Sequence, residues 1–107
     1  QLKTLIPPLL RKWQDILSVR VATWGVRKMK TKWGSCNPTT QRVWFNLELA
    51  KKPQGCLEYI IVHELVHLLE RQHGERFKAY MDEFMPKWRL HRDELKRSPL
   101  AHVDWQY

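Results

Sequence analysis

One stretch constrains everything else in this chain: Leu57 to Gly74, LEYIIVHELVHLLERQHG, apolar on nearly every side yet holding three of the five histidines. A helix that is apolar all round must be buried by its neighbours. Within it His63, Glu64 and His67 spell H-E-x-x-H, and His73 follows six residues after the second histidine. Residues four apart on an α-helix differ by about 40° in projection and sit one turn apart, so His63 and His67 can face a single ion. That spacing is a metal-site signature.

Glu64 projects about 60° from His67, close to the ion's open position without being a ligand. Zinc suits nitrogen donors of this kind and keeps a position for water, whose pKa it lowers to about 7. Glu64 is then the candidate base. His73 requires a further condition, because ten residues of unbroken helix would turn it about 280° from His63 and carry it about 9 Å beyond His67. It joins the site only if the helix stops first, and Gln72-His73-Gly74 is the expected stop, glycine being common just past a helix C-terminus. The metzincin pattern has glycine where this chain has Glu70, which disfavours that class.

At 107 residues the chain is expected to form a single domain, 1–107, with one core. It begins with Gln1 rather than methionine, which fits an excerpt of a longer protein. No apolar run is long enough to span a bilayer and no signal peptide opens the chain, so no membrane partner is expected. Cys36 and Cys56 lack a C-x-x-C pairing and read as reduced, packed thiols, which favours a cytoplasmic setting. The net charge of +8, from 19 basic and 11 acidic residues, would attract nucleic acid, nucleotides or acidic protein segments.

In chain order, Gln1 to Leu17 predicts an opening helix with Pro7 and Pro8 in its first turn. From Val19 the period changes to β-prone runs, Val19 to Val26 and Thr31 to Cys36. A turn at Asn37 to Gln41 leads into Arg42 to Leu47, where Val43, Phe45 and Leu47 alternate with Arg42, Trp44 and Asn46. Three short antiparallel strands are expected, with Gly25 and Gly34 marking bulges or close backbone approach. Pro53 should lie in the first turn of the metal helix. After Gly74 a helix carries Phe77, Tyr80, Met81 and Phe84 on one face until Pro86. A last helix, Lys87 to Lys96, is anchored by Trp88, Leu90 and Leu95. The tail to Tyr107, with His102, Asp104 and Trp105, is expected to fold over the surface. Arg27, Lys28, Lys30 and Lys32 form either a solvated edge or an anion-binding lip, with Trp24, Trp33 and Trp44 as stacking surfaces.

Lys28 to Cys36 (KMKTKWGSC), Asn46 to Leu49, and Val62-His63-Glu64-Leu65-Val66-His67 followed by His73 and Phe77 together resemble the YgjP-like zinc metallopeptidases, relatives of the SprT-like and WLM proteases. The resemblance covers roughly Val19 to Lys96. It implies a compact zincin-like α+β domain, its small sheet packed on the metal helix with flanking helices, and Zn2+ bound by His63, His67 and His73. Relatives often carry a β-rich N-terminal region that this chain lacks.

The expected function is therefore a zinc-dependent hydrolase that cleaves polypeptides, with Glu64 as catalytic base and the oxyanion partner unassigned except for Tyr80 by residue type. Lys28, Lys30, Lys32 and Trp33 are the candidate substrate-binding residues. Two alternatives are a nucleoside triphosphate pyrophosphohydrolase that uses the basic cluster, and a nucleic-acid-binding module that keeps zinc for stability.

Overall fold

The computed structural model describes residues 1–97, and the expectations for the tail lie outside them. The elements run α1 (Leu2–Leu17), β1 (Thr23–Arg27), β2 (Gly34–Asn37), β3 (Arg42–Asn46), a 3-10 helix (Leu47–Lys51), α2 (Gln54–Val66), α3 (Glu75–Phe84) and α4 (Trp88–Lys96). This is an α+β fold in which every layer meets α2.

Helix α1 begins at Leu2, so Pro7 and Pro8 lie inside it rather than in its first turn. Its early start is held by Gln1, whose carbonyl accepts bonds from the amides of Thr4 and Leu5 and from the Thr4 hydroxyl. Leu2, Ile6, Leu10, Trp13 and Leu17 form its buried stripe. The helix is tied to α2 at Glu58, whose Oε2 accepts from Lys12 Nζ at 2.9 Å and from Trp13 Nε1 at 2.7 Å.

The sheet corrects the all-antiparallel expectation. Its order is β1-β3-β2, with β2 antiparallel to β3 but β1 parallel to β3, from Thr23↔Arg42 to Arg27↔Asn46. The β2–β3 hairpin makes β3 the central strand, so β1 pairs with the strand beyond its sequence neighbour. Alternation along the strands survives this change: Val43 and Phe45 are fully buried, while Arg42 is exposed. Gln41 in the hairpin turn has a left-handed backbone, φ 58°, and its carbonyl accepts from the Ala22 amide, joining the turn to the approach to β1.

Asn46, at the end of β3, is wholly buried. Its Nδ2 donates to the carbonyls of Met29 (2.8 Å) and Lys32 (2.7 Å), and its Oδ1 accepts from the Glu48 amide at 2.9 Å. One amide side chain thereby fixes the loop that delivers Trp33 and Gly34 to α2 and also starts the 3-10 helix. Trp33 is 2% exposed, a core residue rather than a stacking surface.

Ten residues of α2 are buried, from Cys56 through Val66, as an all-round apolar helix requires. Pro53 precedes the helix as its N-cap. On α4, Trp88 and Leu95 are the anchors, whereas Leu90 is 64% exposed and anchors nothing. Both cysteines are free thiols. Among the described residues no helix is long and apolar enough to cross a membrane.

Candidate metal centre

His63 and His67 stand one turn apart near the end of α2, and the condition on His73 is met earlier than expected. The α-helix ends at Val66, with His67 as its cap. The chain then tightens: Leu68 N–H donates to Leu65 and Leu69 N–H to Val66, bonds of the three-residue 3-10 type. Gly74 is not the stop for α2; it is the residue from which α3 starts, with φ −88°. The intervening loop brings His73 back to the end of α2.

There the three imidazoles converge. One ligand atom from each of His63, His67 and His73 lies within 4.8 Å of the other two. Nε2 of His63 and Nε2 of His73 are 3.1 Å apart. Nδ1 of His67 lies 3.3 Å from the carbonyl oxygen of Glu70, so that nitrogen serves as the donor and Nε2 is left to face the cluster. Phe77 of α3 closes the site, its ring centroid 4.7 Å from those of His63 and His67 and 5.0 Å from that of His73. The spacing to Phe77 was visible in the sequence, but its contact with all three rings was not.

These side chains suit a divalent metal. Burial, followed by the neighbouring His67 and His73, holds His63 well below the usual imidazole range. Burial and then His73 lower His67 to about 4, and burial lowers His73. Three neutral nitrogen donors at neutral pH are what such an ion needs. The same shifts predict a pH dependence for the metal-free protein. The unfolded chain protonates these histidines below about pH 6.5 while the folded one resists, so stability holds above that value and falls as pH drops toward 4. Melting curves of chelator-treated protein should show the midpoint falling between pH 7.5 and pH 5.5; a flat profile would contradict the burial of these rings.

Glu64 is 1% exposed, and a strand is pressed against it. A Cβ built at Gly34 would lie 2.7 Å from Glu64 Oε2 and 2.8 Å from Ile60 Cγ2. Only a glycine in β2 lets the sheet come this close to the acid. Gly34→Ala is expected to displace the carboxylate, to cost about 1–3 kcal/mol through overpacking, and to lower turnover more than metal content. Turnover and zinc content measured together would show it; full turnover in this variant would refute the contact.

Cys36 shares that face of β2, and burial followed by the Glu64 charge pushes its thiol up to about 12. It stays protonated and is no nucleophile at neutral pH. Lys28, Lys30 and Lys32 lie exposed in the β1–β2 loop, outside the histidine cluster. Tyr80 is half-buried on α3, stacked on Phe84 at 6.5 Å.

A buried acid held by a strand beside three converging imidazoles has the chemistry of a metal-dependent hydrolase. The chain belongs to the YgjP-like metallopeptidase domain family, whose model matches residues 1–98. Two crystal structures share its fold. The metallopeptidase zymogen of Pyrococcus abyssi abylysin has a TM-score of 0.70 at 20% identity, covering 84% of this chain and 88% of that one. The metallopeptidase zymogen of Methanocaldococcus jannaschii jannalysin has a TM-score of 0.70 at 24% identity, covering 86% and 92%. No curated protein matches the chain by sequence.

Proposed function

We propose that this metallopeptidase uses zinc, held by His63, His67 and His73, and cleaves extended polypeptides with Glu64 as general base. Bound zinc supplies Lewis acidity, enough to make water a nucleophile at neutral pH. The Glu64 carboxylate accepts the proton of the attacking water and returns it to the departing amine nitrogen. Phe77 holds the imidazoles in place and keeps bulk water from their inner side. The substrate lies beside β2, an edge strand of the sheet, where main-chain hydrogen bonds give affinity with little sequence preference.

The observation that supports this reading is the contact between Gly34 and Glu64, which brings a buried carboxylate against an edge strand of the sheet. The activity is assigned to one domain, and its two free thiols suit the cytoplasm. Lys28, Lys30 and Lys32 are peripheral in this scheme. Changing all three to Gln should leave cleavage of an unfolded, uncharged polypeptide nearly intact, measured by gel or mass spectrometry, while a chelator abolishes it. Wild-type turnover of nucleoside triphosphates without proteolysis, lost in the triple variant, would overturn the assignment.

A further inference from the structure

From Ile16 to Leu47 the chain carries six cations, Arg20, Arg27, Lys28, Lys30, Lys32 and Arg42, and not one Asp or Glu. This acid-free stretch includes the whole sheet. Helix α2 packs on β2 and β3 from one side, the side of Val43, Phe45 and Gly34. Arg27, Arg42 and Trp44 alternate onto the other side, where both arginines are exposed and Trp44 is half-buried.

On that outer face the charge is organised. Trp44 lies across Gly25, where a Cβ would come within 2.5 Å of its ring. The guanidinium of Arg27 sits 4.3 Å from the Trp44 ring centroid and that of Arg42 sits 4.7 Å from it. The two arginines belong to opposite ends of the paired strands, since Arg27 faces Asn46 and Arg42 faces Thr23 in the register. Their side chains nevertheless meet on one ring. Neither forms a salt bridge among the described residues. Two exposed cations that flank one ring with no acid beside them attract an anion from both sides of that ring. Stacking on the indole also orders both guanidinia in advance, which lowers the entropy lost on binding.

We propose that this outer sheet face binds single-stranded nucleic acid through its phosphodiester backbone. The planar guanidinium fork matches phosphate oxygens, and Lys28, Lys30 and Lys32 continue the positive track beyond Arg27 on a loop whose backbone Asn46 fixes. Thr23, Ser35 and Asn37 on the same face add neutral donors of the kind that contact phosphates. A mixed-charge polypeptide would bring ammonium and guanidinium groups as well as acids, and this acid-free face has no carboxylate to receive them. A phosphodiester backbone brings acceptors and negative charge together, which is what the face lacks. The inference does not depend on the peptidase reading.

The test is fluorescence anisotropy of a labelled oligothymidylate at a series of salt concentrations. Wild type should bind with an affinity that falls as salt rises. Arg27→Gln/Arg42→Gln should weaken binding at least about tenfold and flatten the log–log salt slope by about 1.4, the loss of two phosphate contacts on a single strand. Both positions are exposed, and unchanged circular dichroism would show an intact fold. Lys3→Gln/Lys96→Gln, which removes two cations from α1 and α4, should bind as wild type does. Absence of wild-type binding, or an equal loss in both double variants, would overturn the proposal. So would polyglutamate binding as tight as the oligonucleotide and lost in the arginine variant, which would assign the face to acidic polypeptides.

Discussion

Glu64→Gln is expected to keep the fold and the zinc while losing hydrolysis by about 10²- to 10⁴-fold, the usual cost of removing a general base. The amide has the shape of the carboxylate, so the contact with Gly34 is preserved. Only basicity is lost. Because Glu64 is buried within the core against β2, a change to Ala would mix catalysis with packing, and Gln keeps the two apart. Turnover of an unfolded polypeptide, measured beside zinc content and melting temperature, distinguishes the outcomes. Near-normal turnover with bound zinc would remove Glu64 from the chemistry.

His73→Ala is expected to lower zinc affinity by more than about 100-fold, beyond the range typical of residues that only orient a ligand. His73 lies in the loop before α3, only partly covered and outside the core cluster, so its removal opens no cavity in the core. The loss should therefore appear in metal retention and activity but hardly in the melting of the metal-free protein. Unchanged zinc content would exclude His73 and turn attention to Glu70, Glu75 and Glu83. In this structure the Glu70 side chain is directed to Arg76 at 3.8 Å while its carbonyl meets His67.

The two variants divide the site by function. Glu64→Gln should retain metal without turnover, and His73→Ala should lose both. If the outer-face arginine variant retains cleavage of a neutral polypeptide while losing oligonucleotide binding, the two faces of one small sheet serve separate tasks. β2 is placed to join them, because Gly34 and Cys36 face α2 while Ser35 and Asn37 face outward.

His63, Glu64 and His67 were legible in the sequence because their relation is local: four residues on a helix fix which side chains share a face. The buried character of α2 and the alternation in β3 were legible for the same reason. The end of α2 was not. Gly74 looked like the stop, yet the helix ends at Val66 by tightening its hydrogen bonds, with Phe77 packed on the imidazoles that the loop brings together. No glycine or proline between Val66 and His73 announces that change.

Tertiary structure alone decided the rest. β1 pairs parallel with β3, which lies beyond the next strand in sequence, and no periodicity carries that information. Trp33 looked like an exposed ring beside a basic run, but Asn46 draws its loop inward and buries it. Gly34 reveals its purpose only when Glu64, thirty residues later, is set against it. Arg27 and Arg42 converge only because a parallel pairing lays Trp44 across Gly25. Periodicity within one element is a property of neighbouring residues, and the sequence alone determined it. Which elements touch depends on burying a shared core and satisfying its polar groups together, and only the folded chain does that.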